Sequence, residues 1–192
     1  LFTFDAKILD FDLQNENVYK YLFSAEWRKS VIDEGYHNYG GFTSLLKTSN
    51  NEVFNTGNYC IGDRHTENVD TQLKKMLGCF AETHYINILP NCRVGEHYDI
   101  YDANDETVNA TENDFINTSI LYPIFGDIEV TADGVTRLLK PDVFTVIDTS
   151  KLHDGLNLNN TLSWCCSTLC YNITYSEVKN ILKPYIVEDL DE

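Results

Sequence analysis

The sequence predicts an α+β fold in which a sandwich or barrel of short strands occupies residues 82–172 and helices in residues 1–81 support it. Three observations carry that prediction. From Glu82 onward, apolar stretches of strand length recur near residues 83–89, 93–101, 117–124, 126–131, 135–140, 143–148, 151–156 and 162–172. Short strands at such spacing suit an antiparallel sandwich or barrel rather than parallel βαβ units. Asp133-Gly134 between two of them is a two-residue hairpin signal. Helical periodicity is confined to the segments before and after this region.

Taken in order, residues 1–13 read as a strand with Phe2, Phe4 and Ile8 alternating. From residue 17 to 34, Val18, Tyr21, Leu22, Ala25 and Ile32 share one helical face, with Gly35 as a stop. Residues 35–65 are expected to be loop, broken by Gly40-Gly41 and Asn50-Asn51. A second helix is expected from 67 to 80, capped by Thr66, with Val69, Leu73, Met76, Leu77 and Phe80 inward. The polar stretch 102–114 fits a loop covering a site. After the last strand, residues 173–192 should hold a helix capped by Ser176, running through Leu182 to a stop at Pro184, then an acidic tail.

The 192 residues, 43% hydrophobic, suffice for one domain with a proper core. A net charge of −16 argues against unspecific nucleic-acid binding, which needs clustered Lys and Arg against phosphate. No apolar run approaches the ~20 residues of a membrane-spanning helix, and no charged-then-apolar signal opens the chain at Leu1. The six cysteines show no CxxC spacing, so they read as reduced thiols and the expected compartment is the cytoplasm. Asn109, Asn117, Asn159 and Asn172 lie in N-x-S/T triplets, which an Asn-rich chain produces by chance.

The chemistry concentrates at Glu96-His97-Tyr98-Asp99 and Lys151-Leu152-His153-Asp154. On a strand His97 and Asp99 point to one face and Glu96 and Tyr98 to the other. A second imidazole from His153, on a distant strand, completes two histidines and one carboxylate, the facial triad of non-haem Fe(II) oxygenases. Asp154, adjacent to His153, should point away. His37, His65 and His84 are expected to be structural or solvent-facing.

The residues around these motifs reinforce the reading. Residues 88–95, Ile-Leu-Pro-Asn-Cys-Arg-Val-Gly, lead into the HxD; Thr118-Ser119-Ile120-Leu121-Tyr122 follows, then residues 140–148 and His153. This order resembles the double-stranded β-helix, a jelly-roll or cupin-like barrel, of the Fe(II)/2-oxoglutarate dioxygenases, in particular the prolyl-hydroxylase-like branch. The resemblance implies Fe(II) on His97, Asp99 and His153, with 2-oxoglutarate as cosubstrate. It implies cosubstrate contacts from Tyr122, which matches the family's strand tyrosine, and from Asn87, ten positions before His97. Members of that family anchor the far carboxylate with a basic residue about ten positions after the distal His, where a guanidinium can grip it bidentately.

Here those positions are Leu162, Ser163 and Trp164, and residues 152–178 contain no Lys or Arg. Only one of Ser163 and Trp164 can face inward, and Ser163 has the matching offset. Arg93, Arg137 and Lys140 are the remaining cations. Arg93, at i and i+4 with His97, is expected on the metal's face if the strand is regular through Gly95, with Arg137 the lesser contributor. Two alternatives stay open: a metal site without 2-oxoglutarate, or a catalytically silent barrel used as a binding or assembly module. The expected substrate is a protein side chain or a small metabolite.

Overall fold

From residue 80 onward the chain passes back and forth between two antiparallel sheets. The structure, a computed structural model, describes residues 1–14, 45–47, 53–55, 58–61, 64–88, 90–98 and 116–191. Its elements are β1 (Phe2–Asp5), β2 (Leu45–Lys47), β3 (Val53–Asn55), β4 (Asn58–Ile61), α1 (Arg64–Leu77), β5 (Phe80–Ile88), β6 (Ile116–Phe125), β7 (Ile128–Ala132), β8 (Val135–Leu138), β9 (Val143–Asp148), β10 (His153–Asn157), β11 (Ser163–Tyr171), α2 (Tyr175–Leu182) and β12 (Ile186–Asp189). One sheet runs β12-β1-β9-β6-β11-β5-β4 and the other β10-β7-β8, with β2-β3 a separate hairpin.

Residues 91–97 extend the smaller sheet beyond β10, through bridges Arg93↔Leu156 and His97↔His153. Val94 N–H donates to Gly155 O at 2.8 Å and Asn157 N–H to Cys92 O at 3.0 Å along the same edge. Hence β5, β6, β9 and β11 lie in the large sheet, while residues 91–97, β7, β8 and β10 lie in the small one. That alternation is the double-stranded β-helix expected from the sequence. The β7–β8 hairpin turns on Asp133 and Gly134 with φ of 49° and 78°, the positive angles of a type I′ turn.

Two cores follow from strand alternation. On one face of the large sheet, Phe4, Tyr85, Ile120, Tyr122, Ile124, Phe144, Val146, Trp164 and Cys166 pack against Val69, Leu73 and Leu77 of α1 and Val178 and Leu182 of α2. Fully burying each large apolar side chain contributes about 1.5–3 kcal/mol. Between the sheets lie Ile88, Leu121, Ile147 and Cys165 from the large one and Ile128, Val130 and Ala132 from the small one.

Several expectations are corrected. The helix predicted over 67–80 runs from Arg64 to Leu77, so Thr66 lies inside it. It ends where Gly78, at φ 69°, turns the chain into β5. Phe80 is therefore a strand residue, 56% exposed, with Lys74 Nζ 4.4 Å above its ring. Residues 45–61, read as loop, contribute β2, β3 and β4. The C-terminal helix is capped by Thr174, not Ser176, in a reciprocal capping box with Glu177. The expected helix over 17–34, Asp99 and the loop 102–114 lie outside the described residues. Among the described residues no helix is long and apolar enough to cross a membrane.

The acidic tail is also built into the fold, as β12 on the edge of the large sheet against β1. Asp191 accepts from Tyr175 Oη at 2.8 Å and from Lys179 Nζ at 2.9 Å. Burial opposes its charge, but the hydrogen bonds from Lys179 and Tyr175 hold its carboxyl below the usual carboxylate range. A depressed folded pKa contributes stability above the unfolded value, and that stability is lost as pH falls through the folded one. After solvent screening the contribution is on the order of 1–2 kcal/mol. Asp191→Asn should therefore lower stability at neutral pH and approach the parent only once the pH is below the folded pKa. Denaturant titrations across that range check it, and an unchanged pH slope in the variant would exclude the role.

Candidate metal centre

Register places the two histidines together. On β10, His153 pairs with Ala132 and Gly155 with Val130, both inter-sheet core residues, so His153 faces the barrel interior while Asp154 faces outward. His97 sits directly opposite His153 and exchanges both backbone hydrogen bonds with it, each 3.0 Å. The ring centroids are 4.2 Å apart with planes at 52°. His153 is buried and His97 half-buried.

The rings are oriented by backbone carbonyls. His97 Nδ1 lies 2.6 Å from Gly95 O, and His153 Nδ1 lies 3.0 Å from Lys151 O. A carbonyl oxygen only accepts, so Nδ1 carries the proton in each ring and Nε2 carries the lone pair in the neutral form. This is the arrangement by which proteins fix the tautomer of metal-ligating histidines. Two imidazoles bound at about 2.0–2.1 Å to neighbouring positions on one ion have centroids roughly 4.5 Å apart, close to the observed separation. The donor set therefore fits a metal ion. Among the described residues no third His, Cys, Asp or Glu joins the pair; Asp99, two residues after His97, lies outside them.

Gly95 organises this corner. Arg93 and His97 are four positions apart, while their partners Leu156 and His153 are three apart, so the edge carries a one-residue bulge. Gly95 supplies it with φ 99°, a conformation costly for a residue with a side chain. Its N–H donates to Asp154 Oδ1 at 2.9 Å while its carbonyl accepts from His97. Asp154 is buried and also faces Arg93, whose Nε is 3.0 Å from Oδ2; the contact is an ion pair not aligned as a hydrogen bond. Asp154 thus holds the bulge that presents His97, a role that the sequence reading did not assign. Only the two-versus-one register across the strands reveals it. Asp154→Ala should weaken metal affinity by about 10–100-fold without removing a ligand, and Asp154→Asn, which keeps an acceptor for Gly95 N–H, should restore part of it. Equal affinities in all three proteins, by calorimetry, would remove Asp154 from the site.

The expected cosubstrate contacts fare unequally. The bulge reverses the parity on which the i, i+4 argument for Arg93 depended. Arg93 bridges outward-facing Leu156 and pairs with Asp154 on the outer face, away from the histidines. Tyr122 is likewise on the wrong face. It packs against Phe11 and Phe144 in the helix-side core, and its hydroxyl donates to Pro141 O at 2.8 Å. Asn87 pairs with Trp164 in the ladder; its side chain is not among those described. Lys140 is exposed.

Ser163 shares the interior face with Cys165, while Trp164 is 1% exposed in the helix-side core. Ser163 Oγ donates to Asn157 Oδ1 at 2.7 Å and accepts from Asn159 Nδ2 at 3.0 Å. Asn157 lies four residues, roughly 13 Å, along β10 from His153. Gly126, at φ 79°, makes room there, since a Cβ would fall 2.2 Å from Ser163 Oγ.

Arg137 lies on the interior face, opposite Val130 in β8. Its side chain is 10% exposed, Nη1 pairs with Glu188 of β12, and Nε is buried without a hydrogen bond among the described residues. From the register it is two strands across and two residues along from His153, roughly 12 Å.

No family model matches the chain, and comparison with curated proteins found no match. Similar solved structures include the Cupin 2 domain of an XRE family transcriptional regulator from Enterobacter cloacae, at 16% identity and TM-score 0.39, covering 60% of this chain and 96% of that one. The Cnp3 cupin domain of Schizosaccharomyces pombe is similar at 8% identity and TM-score 0.39, covering 72% and 77%. KdgF from Halomonas sp. is similar at 17% identity and TM-score 0.34, covering 47% and 68%. The fold assignment rests on the strand order described above.

Proposed function

We propose that this double-stranded β-helix holds Fe(II) on His97, His153 and Asp99 and acts as a 2-oxoglutarate-dependent oxygenase on a protein side chain or small metabolite. The observation that carries this reading is the His97–His153 pair, with each Nδ1–H tied to a backbone carbonyl. Bound there, the metal would supply O₂ activation at the expense of a 2-oxo acid. The chain's own residues orient the rings through Gly95 and Lys151 and line the adjoining interior with Val94, Ile88 and Ala132, an apolar wall that restricts water. Arg137, rather than Arg93, takes the role of carboxylate anchor. Its Nη1 is held by Glu188, and Nε belongs to the edge by which a guanidinium grips a carboxylate with two parallel hydrogen bonds.

A second reading is a barrel without this chemistry, serving as a binding or assembly module. The ion pairs of Arg93 and Arg137 and the closure of Ser163 into the Asn157–Asn159 network favour it. An anaerobic titration with Fe(II), then 2-oxoglutarate, separates the two. The weak visible charge-transfer band of the family appears only if both bind at one centre; metal binding without the band favours the second reading.

A further inference from the structure

The corner where α1 enters β5 holds two thiols that the candidate metal centre does not use. Cys79 lies between Gly78, which ends the helix, and Phe80, the first residue of β5. Cys170 lies opposite Ala81 in the β5–β11 ladder, and strand alternation puts residues 79 and 81 on one side. Cys79 accordingly packs, half-buried, against the core cluster that contains Cys170, which is 0% exposed. The two side chains are thus neighbours at the end of the β5–β11 ladder. Cys79 also lines a surface cleft of about 400 Å³ with Leu77, Asn172, Ile173, Glu177 and Ile181. One thiol is thus open to small solutes and the other waits beneath it.

We propose that Cys79 and Cys170 form a peroxide-sensitive dithiol, with Cys79 the thiol that is oxidised and Cys170 the one that resolves it. The Cys79 thiolate attacks one oxygen of a hydroperoxide and the O–O bond breaks. With hydrogen peroxide the sulfur becomes a sulfenic acid and the other oxygen leaves as water after taking a proton. Cys170 sulfur then attacks the Cys79 sulfur, the S–O bond breaks, the second thiol proton leaves with that oxygen as water, and a disulfide remains. Two thiols and one peroxide become one disulfide and two waters.

Two other described thiols, Cys165 and Cys166, are poorly placed to compete. The neighbouring Cys170 thiol holds Cys79 below its ordinary value, while Cys79 and burial push Cys170 up, in keeping with the order of the two steps. Burial pushes Cys165 up to about 12 and Cys166 well above its ordinary value. The disulfide would tie the end of α1 to β11.

The test uses the full chain, reduced and chelator-treated so that metal-driven oxidation is absent. It is exposed to one equivalent of hydrogen peroxide, alkylated, digested and read by mass spectrometry. The expected result is a 79–170 linked peptide, two hydrogens lighter than the reduced pair and released by dithiothreitol. Cys170→Ser should leave Cys79 as a sulfenic acid captured by dimedone. Cys79→Ser should show no 79–170 link and roughly tenfold slower peroxide consumption. Oxidation of Cys92, Cys165 or Cys166 as fast as Cys79 would overturn the proposal, and so would a parent protein that forms the sulfenic acid but never the link.

Discussion

His153→Ala should lose tight Fe(II) binding, by roughly 100-fold or more, since the ligand itself matters at least as much as its supporting contacts. His97→Ala should do the same, and His97→Ala combined with Asp99→Ala should abolish binding altogether. The reason lies in the paired geometry: each ring is fixed by a carbonyl, so neither can swing to compensate for the other. Far-UV circular dichroism should be unchanged, because the backbone exchange between residues 97 and 153 does not need the side chains. The measurement is anaerobic titration monitored by calorimetry, with Co(II) as a spectroscopic substitute. Retention of parent affinity in either single variant would mean that the histidines stack without sharing an ion. Loss in the histidine variants with none in Asp99→Ala would leave a two-histidine site and take the facial triad away.

The second large effect concerns the anchor. Arg137→Ala should weaken 2-oxoglutarate binding to the Fe(II) form by about 10–100-fold, the loss expected when a charged hydrogen-bonding partner is removed. Arg93→Ala should change it far less, reversing the order that spacing alone implies. Iron affinity should respond in the opposite sense, slightly to Arg93→Ala through its contact with Asp154 and not to Arg137→Ala. Glu188→Gln, which frees Arg137 from its carboxylate partner, should tighten the keto acid rather than weaken it. Competition assays with oxalylglycine, a non-reacting keto-acid analogue, provide the affinities. Equal values in parent, Arg93→Ala and Arg137→Ala would discard both anchors and favour the silent barrel.

The sequence by itself determined the strand succession from β5 to β11, the Asp133-Gly134 turn, and which two histidines meet. These are local statements, because alternation and turn preference depend on residues a few positions apart. What only the tertiary structure decided has a common cause: it depends on the neighbouring strand. The side on which Arg93 emerges is set by counting residues on β10 against those from 93 to 97, and the extra one at Gly95 inverts it. Tyr122 lies in a stretch buried on both faces, where Leu121 enters one core and Ile120 and Ile124 the other, so apolar pattern could not say which way the ring points. The short strands at residues 45–61 and the tail strand β12 carry too few residues to announce themselves. The described partners of β4 and β12, β5 and β1, stand about 25 and 185 residues away in the chain, respectively. Asp154 emerges on the face opposite His153, as alternation implies, yet its grip on the bulge follows from Gly95 having left the regular ladder, which no spacing between carboxylates and histidines encodes.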